Sequence, residues 1–272
     1  MDQFERSGLV FPVQDHGPAD GVAVVLLHGF PQDASSWDRV VPRLTEQGFR
    51  ELVPTQRGYA VTARPLRRRD YRVPELVGDV LALLDAASLD RVHLVGHDWG
   101  GGVAWSLAGA VPSRVHTLTA LSAPHPGAVA DAMMHSSQAL KSWYMAVFKL
   151  PWLPEQILPR TLAKALTDGG LPQADATRYV AAMTEPGALT AALNWYRGLQ
   201  MTVVRNAKDV SVPTTYVWGD HDIALGRFAA EHTAEHVTAD YSFVPLRAGH
   251  WLPETRAEQV AQAILDRALR TP

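Results

Sequence analysis

The chain contains no cysteine. A disulfide framework, a thiolate nucleophile and a cysteine-ligated zinc site are thereby excluded. It also lacks a long apolar run: the longest, Val22 to Leu27, falls far short of the roughly 20 residues a spanning helix needs. Charge of one sign is missing too. The 25 Lys and Arg stand against 28 Asp and Glu, a formal charge of −3, and they are interspersed, so no global field selects nucleic acid or an anionic membrane. The opening stretch Met1-Asp2-Gln3-Phe4-Glu5-Arg6 carries charges and has no apolar segment of the kind that marks a secretory leader. A cytoplasmic location is the expectation. No internal repeat or low-complexity segment stands out. What is present is 272 residues with 47% hydrophobic content, enough to bury a large core with an inserted segment and to bind a small molecule.

Four apolar runs read as buried parallel strands: Val22–Leu27, Arg91–Val95, Val115–Leu121 and Thr214–Trp218. They are rich in Val, Leu and Thr without strict polar alternation, as in a sheet covered on both faces. Between the first two, Val73, Leu76, Val77, Val80, Leu81 and Leu84 share one helical face. Strand, helix, strand in that order points to a doubly wound α/β core. From about Pro124 to Asp209 the texture changes to Ala-, Leu- and Met-rich helical stretches punctuated by Pro151, Pro154, Pro159, Pro172 and Pro186. The expected organisation is a core over 1–123, a helical cap over 124–209, and the core resumed over 210–272, with a further strand at Tyr241–Leu246 and a closing helix from about Glu254 to Leu269.

Gly96-His97-Asp98-Trp99-Gly100 follows the strand ending at Val95 and leads into a helical run beginning near Gly101. A strand that turns sharply into a helix at Gly-x-Nuc-x-Gly exposes its central side chain, here a carboxylate. Serine there would serve acyl transfer; a carboxylate attacks carbon and forms an alkyl ester, so the substrate carries an electrophilic carbon with a leaving group. Three plain readings compete. Asp98 could cap a helix, the glycines could form a dinucleotide turn, or the chain could have lost catalysis. The dinucleotide turn needs glycine where Asp98 stands, and a carboxylate would repel a pyrophosphate.

A base for this nucleophile belongs in the loop after the last strand, where Ala248-Gly249-His250-Trp251 places His250. Its orienting acid belongs after Thr214–Trp218, where Gly219-Asp220-His221-Asp222 offers Asp220 and Asp222. His28-Gly29-Phe30-Pro31 follows the first long strand. Backbone N–H groups of Phe30 and Trp99 would form an oxyanion hole there, His28 would be structural, and the Phe30-Pro31 bond is a candidate cis peptide.

These four motifs, in this order and spacing, resemble the α/β-hydrolase superfamily, and Gly-His-Asp-Trp-Gly with His-Gly-Phe-Pro is similar to its epoxide hydrolase branch. The resemblance favours Asp222 as the acid. It also implies two cap tyrosines that donate to the epoxide oxygen: Tyr144 in Ser142-Trp143-Tyr144-Met145 and Tyr196 in Asn194-Trp195-Tyr196-Arg197. Neutral phenols suit a developing alkoxide at pH 7, although an arbitrary helical tyrosine is more often packing. The implied activity is hydrolysis of an epoxide to a vicinal diol through an alkyl-aspartate ester, with no cofactor and no metal. The implied partners are an epoxide and water, without nucleic acid or membrane insertion; a homo-oligomer is compatible. Haloalkane or haloacid dehalogenases share the aspartate, so dehalogenation is the alternative, with a silent ligand-binding member of the fold behind it. One departure is Pro54-Thr55-Gln56-Arg57-Gly58-Tyr59, where the family often has Asp in place of Thr55. Met133, Met134, Trp143, Phe148, Trp152 and Met183 suggest an apolar pocket, with core packing as the plainer reading. His232-Thr233-Ala234-Glu235-His236 matches a zinc-protease signature, but a surface helix is the expected reading.

Overall fold

A computed structural model describes residues 1–270. Eight strands form one sheet: β1 (Gln3–Arg6), β2 (Leu9–His16), β3 (Val22–Leu27), β4 (Phe49–Pro54), β5 (Val92–His97), β6 (Val115–Leu121), β7 (Thr214–Gly219) and β8 (Tyr241–Leu246). Their spatial order is β1-β2-β4-β3-β5-β6-β7-β8. β2 runs antiparallel to β1 and β4, and the strands from β4 to β8 are parallel. This is the α/β-hydrolase architecture that the motifs implied.

The strand sequences lack polar alternation because both faces of the sheet are covered. Val25 and Leu27 face one apolar cluster with Leu94, Leu118 and Trp218, whereas Val24 and Leu26 face a second with Val95, Leu121 and Val217. Successive residues of one strand therefore bury into opposite layers. The helices sort accordingly. α1 (Val41–Thr45) lies in the second layer, and α2 (Val73–Ala86) and α3 (Trp99–Ala110) lie in the first.

Between β6 and β7 come seven helices, α4 (Pro126–His135), α5 (Gln138–Lys141), α6 (Trp143–Phe148), α7 (Leu153–Asp168), α8 (Gln173–Met183), α9 (Ala188–Gly198) and α10 (Met201–Arg205), followed by a lone β-bridge from Val210 to Val237. Pro159, read as punctuation, instead lies inside α7. Its position on the exposed face lets water satisfy the carbonyl that loses its donor. α11 (Arg227–His232) follows β7. The closing helix is two pieces, α12 (Leu252–Thr255) and α13 (Ala257–Leu269), because Arg256 leaves helical geometry at φ −139° and ψ 37°. The break lets Glu254 point into the interior while α13 lies along the sheet. Among the described residues, no helix is long and apolar enough to cross a membrane.

Candidate active site

Asp98 sits between β5 and α3 with φ +51°, a left-handed conformation costing a non-glycine residue about 1–3 kcal/mol. The surroundings hold it there. Its N–H donates to Leu121 O at 3.2 Å and its C=O accepts from Gly102 N at 3.1 Å. Two glycines make the approach possible. A Cβ on Gly96 would come within 2.3 Å of Gly100 O, and one on Gly29 within 2.5 Å of Asp98 Oδ1. Asp98 is thus held by two backbone hydrogen bonds and by close glycine packing around the turn.

The carboxylate has two close partners. Phe30 N–H donates to Asp98 Oδ1 at 2.8 Å, and His250 Nε2 lies 3.5 Å from Oδ2. The Phe30-Pro31 bond is cis. Trp99 opens α3, where a first-turn N–H has no intrahelical acceptor. Behind His250, Nδ1 meets Asp222 Oδ2 at 2.8 Å, so the ring spans the two carboxylates. Asp222 Oδ1 accepts from Ala224 N at 2.8 Å and Leu225 N at 2.9 Å. Asp220, the other candidate, pairs with its neighbour His221 at 2.7 Å and accepts from Ala248 N at 3.3 Å. Those are the local bonds of a turn.

Electrostatics follow from burial and these partners. Desolvation pulls the His250 pKa down, but the charge and hydrogen bond of Asp222, joined by Asp98, outweigh it and lift the group to about 10. Desolvation pushes Asp98 up, and the His250 hydrogen bond and charge outweigh that too, holding the carboxyl below its usual range. Both shifts favour a carboxylate–imidazolium pair. Tyr144 and Tyr196 are raised, first by burial and then by neighbouring groups that include Asp98, so both phenols keep their protons.

Both tyrosines line one cavity with Asp98, of about 190 Å³. Tyr144 comes from α6 and Tyr196 from α9, with ring centres 6.3 Å apart. Of the six residues read as an apolar pocket, only Met133 lines this cavity. Met134, Trp143 and Trp152 are exposed, Met183 is in the core, and Phe148 packs on Phe30 and Tyr196 at 5.7 and 5.0 Å. Hydropathy alone cannot tell a helix's solvent face from its cavity face in a cap of short, irregular helices.

A buried polar network behind His250 escaped the sequence reading. The His250 carbonyl contacts His97 Nε2 and accepts from Ser122 Oγ, both at 2.9 Å. His97 Nδ1 meets Gln32 Oε1 at 2.8 Å, and Gln32 Nε2 donates to Glu254 Oε1 at 2.6 Å. Tyr179 of α8 donates to the same oxygen at 2.8 Å. The loop carrying His250 is thus tied to β5 and to α8. His97 belongs to Gly96–Gly100, a motif already singled out, and Gln32 directly follows another, His28–Pro31; nothing in spacing marks Ser122 or Glu254.

His28 is structural, as expected: it accepts from Gln56 N–H at Nε2 over 3.1 Å, which leaves Nδ1–H to donate to Gly29 O at 3.0 Å. The departing loop is absorbed locally, since Arg57 forms a fork to Asp79 at 2.7 and 2.6 Å. His232 contacts Phe228 O at 2.8 Å and His236 stacks on His125 at 4.3 Å. Among the described residues no three His, Asp or Glu side chains are grouped to hold a metal ion.

Comparison with known proteins adds to this geometry. Residues 22–257 match the family described as the alpha/beta hydrolase fold. The chain is 35% identical to AB hydrolase superfamily protein YfhM of Bacillus subtilis (strain 168), over 96% of this chain and 94% of that one. It is 33% identical to epoxide hydrolase 3 of Xenopus tropicalis, over 97% of this chain and 76% of the other. The crystal structure of epoxide hydrolase A from Mycobacterium thermoresistibile superposes with a TM-score of 0.83 at 25% identity, covering 97% of this chain and 96% of that one.

Proposed function

The chain belongs to the α/β-hydrolase fold family, and from that premise we propose that it is an epoxide hydrolase acting through a covalent ester on Asp98. The observation that carries the reading is the Asp98 carboxylate itself: it pairs with His250 on one side and shares an apolar cavity with Tyr144 and Tyr196 on the other. The similarity to proteins named epoxide hydrolases supports the substrate class.

In the first step an Asp98 oxygen attacks one epoxide carbon, the ring C–O bond breaks, and the departing oxygen takes its proton from the tyrosine pair. In the second, His250, relieved of the Asp98 charge, gives its proton back to the tyrosinate and as neutral imidazole removes a proton from water as that water attacks the ester carbonyl. Asp222 holds the imidazole and stabilises its cation. The Phe30 N–H, already on Asp98 Oδ1, meets the negative charge that develops there, and we assign the Trp99 N–H to the same oxyanion. Collapse of the intermediate breaks the ester C–O bond, the proton of the added hydroxyl passes to the departing alkoxide, and the diol leaves with the Asp98 carboxylate and the His250 imidazolium restored. Residues 1–123 and 210–272 would form the catalytic core, and 124–209 a cap that supplies the oxygen donors.

The dehalogenase reading keeps one observation, the Trp99 indole lining the cavity beside Asp98. Epoxides and haloalkanes supplied in parallel, with Asp98→Ala as control, decide between them. Diol formation lost in Asp98→Ala, together with a His250→Gln protein whose intact mass rises by that of the substrate, is the expected result. Halide release without diol would favour dehalogenation, and tight binding without turnover a silent receptor.

A further inference from the structure

Resting on the epoxide hydrolase reading, we propose that Gln138 and Lys141 are positioning residues: from α5 they hold the loop of Asp222, so that His250 is aligned for ester hydrolysis only while the cap is seated. The loop after β7 has little apolar anchorage. His221 and Ile223 are exposed, and Ala224, Leu225 and Gly226 are half-buried, yet the Asp222 side chain among them is buried against His250. Hydrogen bonds must fix such a segment. The sheet side holds its first half, where Asp220 N–H donates to Leu246 O and His221 N–H to Ala248 O, both at 3.0 Å. Further along, the core supplies one bond, from Trp218 Nε1–H to Leu225 O at 3.1 Å.

The cap supplies the rest. Gln138 and Lys141 stand three residues apart, on one face of α5. Gln138 Nε2 donates to Ala224 O at 2.7 Å, its Oε1 accepts from Gly226 N–H at 2.9 Å, and Lys141 Nζ donates to Asp222 O at 2.9 Å. The three bonds fall on alternate residues and form a clasp along the second half of the loop. Gly226 N–H can only donate and Ala224 O only accept, so the Gln138 amide has one orientation. That side chain is buried, and its other amide hydrogen goes to Ser142 Oγ at 2.9 Å. Ser142 immediately precedes α6, whose second residue is Tyr144. The oxygen donor of the first step and the acid of the second are thereby fixed to one helix of four residues. Lifting α5 would strip three hydrogen bonds from the loop, withdraw Tyr144 and let Asp222 drift from His250 Nδ1. The base is then aligned only when the cap is in place over the ester.

The test measures the two steps apart, by rapid quench and intact-protein mass spectrometry. Gln138→Met keeps the length of the side chain and removes its bonds to the loop. Hydrolysis of the ester should slow by roughly tenfold or more, the worth of one or two hydrogen bonds. Alkylation, which uses Asp98 and the tyrosines, should stay within about threefold of wild type. Lys141→Met should slow hydrolysis by roughly fivefold, and Lys141→Arg should restore it, because either cation can donate to a carbonyl; this pair decides the matter if Gln138→Met does not fold. Hydrolysis at the wild-type rate in the Met variants, or a loss shared equally by both steps, would overturn the proposal. Proton NMR reads the clasp without substrate, through the far-downfield resonance of the proton between His250 Nδ1 and Asp222. That resonance should broaden or vanish in both Met variants and return in Lys141→Arg. If no epoxide reacts but the resonance responds in this way, the clasp stands and the hydrolase reading falls; a resonance indifferent to both variants overturns the clasp.

Discussion

Alkylation of Asp98 should change the acidity of the base that finishes the reaction, and pH should then separate the two steps. In the resting enzyme His250 stands at about 10: burial lowers it, and the Asp222 and Asp98 carboxylates more than compensate. Ester formation neutralises the anion 3.5 Å from Nε2. With an effective dielectric constant of about 20, a unit charge at that distance is worth about 5 kcal/mol, or roughly three and a half pH units. Losing it lowers the imidazolium pKa from about 10 to between about 6 and 7 in the ester. The sign is set by which form the anion favours: the carboxylate stabilised the cation, so its removal frees the neutral imidazole that must accept a proton from water. Alkylation needs ionised Asp98, whose pKa is lowered, and protonated Tyr144 and Tyr196, whose pKa values are raised. That step should be flat between about pH 6 and 9. Hydrolysis should fall about tenfold per pH unit below its midpoint and level off above it. Rapid quench with intact-protein mass spectrometry reads both rates, and the ester should accumulate at acid pH. A hydrolysis midpoint near 10, or an acid limb with its midpoint near 7 in alkylation instead, would refute the coupling.

Tyr144→Phe and Tyr196→Phe should each slow alkylation by roughly 10- to 150-fold, the worth of a hydrogen bond to a charged group, and leave single-turnover hydrolysis of preformed ester nearly unchanged; equal loss in both steps would point to misfolding of the cap. Asp222→Asn should slow hydrolysis on the order of a thousandfold or more while the ester persists, and a rapid return of free enzyme in the mass spectrum would contradict it. Arg57→Met leaves the buried Asp79 with Arg6 as its remaining partner at 2.9 Å. Urea unfolding should then show a loss of about 3 kcal/mol, and a loss below about 1 kcal/mol would mean that Arg6 compensates.

The network behind His250 bears on how firmly that side chain is held. Glu254 is pushed above its usual range by burial, which its bonds from Gln32 and Tyr179 only partly offset, and His97 is pulled down to about 4 by burial and by the nearby His250 charge. Charging either group alone is therefore costly. The network holds the His250 loop through its backbone carbonyl, leaving both ring nitrogens for Asp98 and Asp222.

By itself the sequence determined the β3, β5, β6, β7 and β8 strands and the four motifs of the candidate site, because both kinds of signal are local. A strand buried on both faces is a short apolar run whatever surrounds it, and the Gly96–Gly100 turn is a backbone requirement written in adjacent residues. β1, β2 and β4 were not legible. β1 and β2 alternate or break their apolar pattern with exposed polar residues and Pro12, and β4 carries Arg50 and Glu51 among its apolar positions. Only the tertiary structure decided the rest. Choosing Asp222 over Asp220 on the residues alone required knowing which carboxylate meets Nδ1, a contact across 28 positions. The network of Gln32, Ser122 and Glu254 spans up to 222 positions, and the cavity draws on α2, α3, α4, α6, α9 and α10. No periodicity along one chain encodes which helix face will meet a neighbour's void. That is settled only when the helices pack.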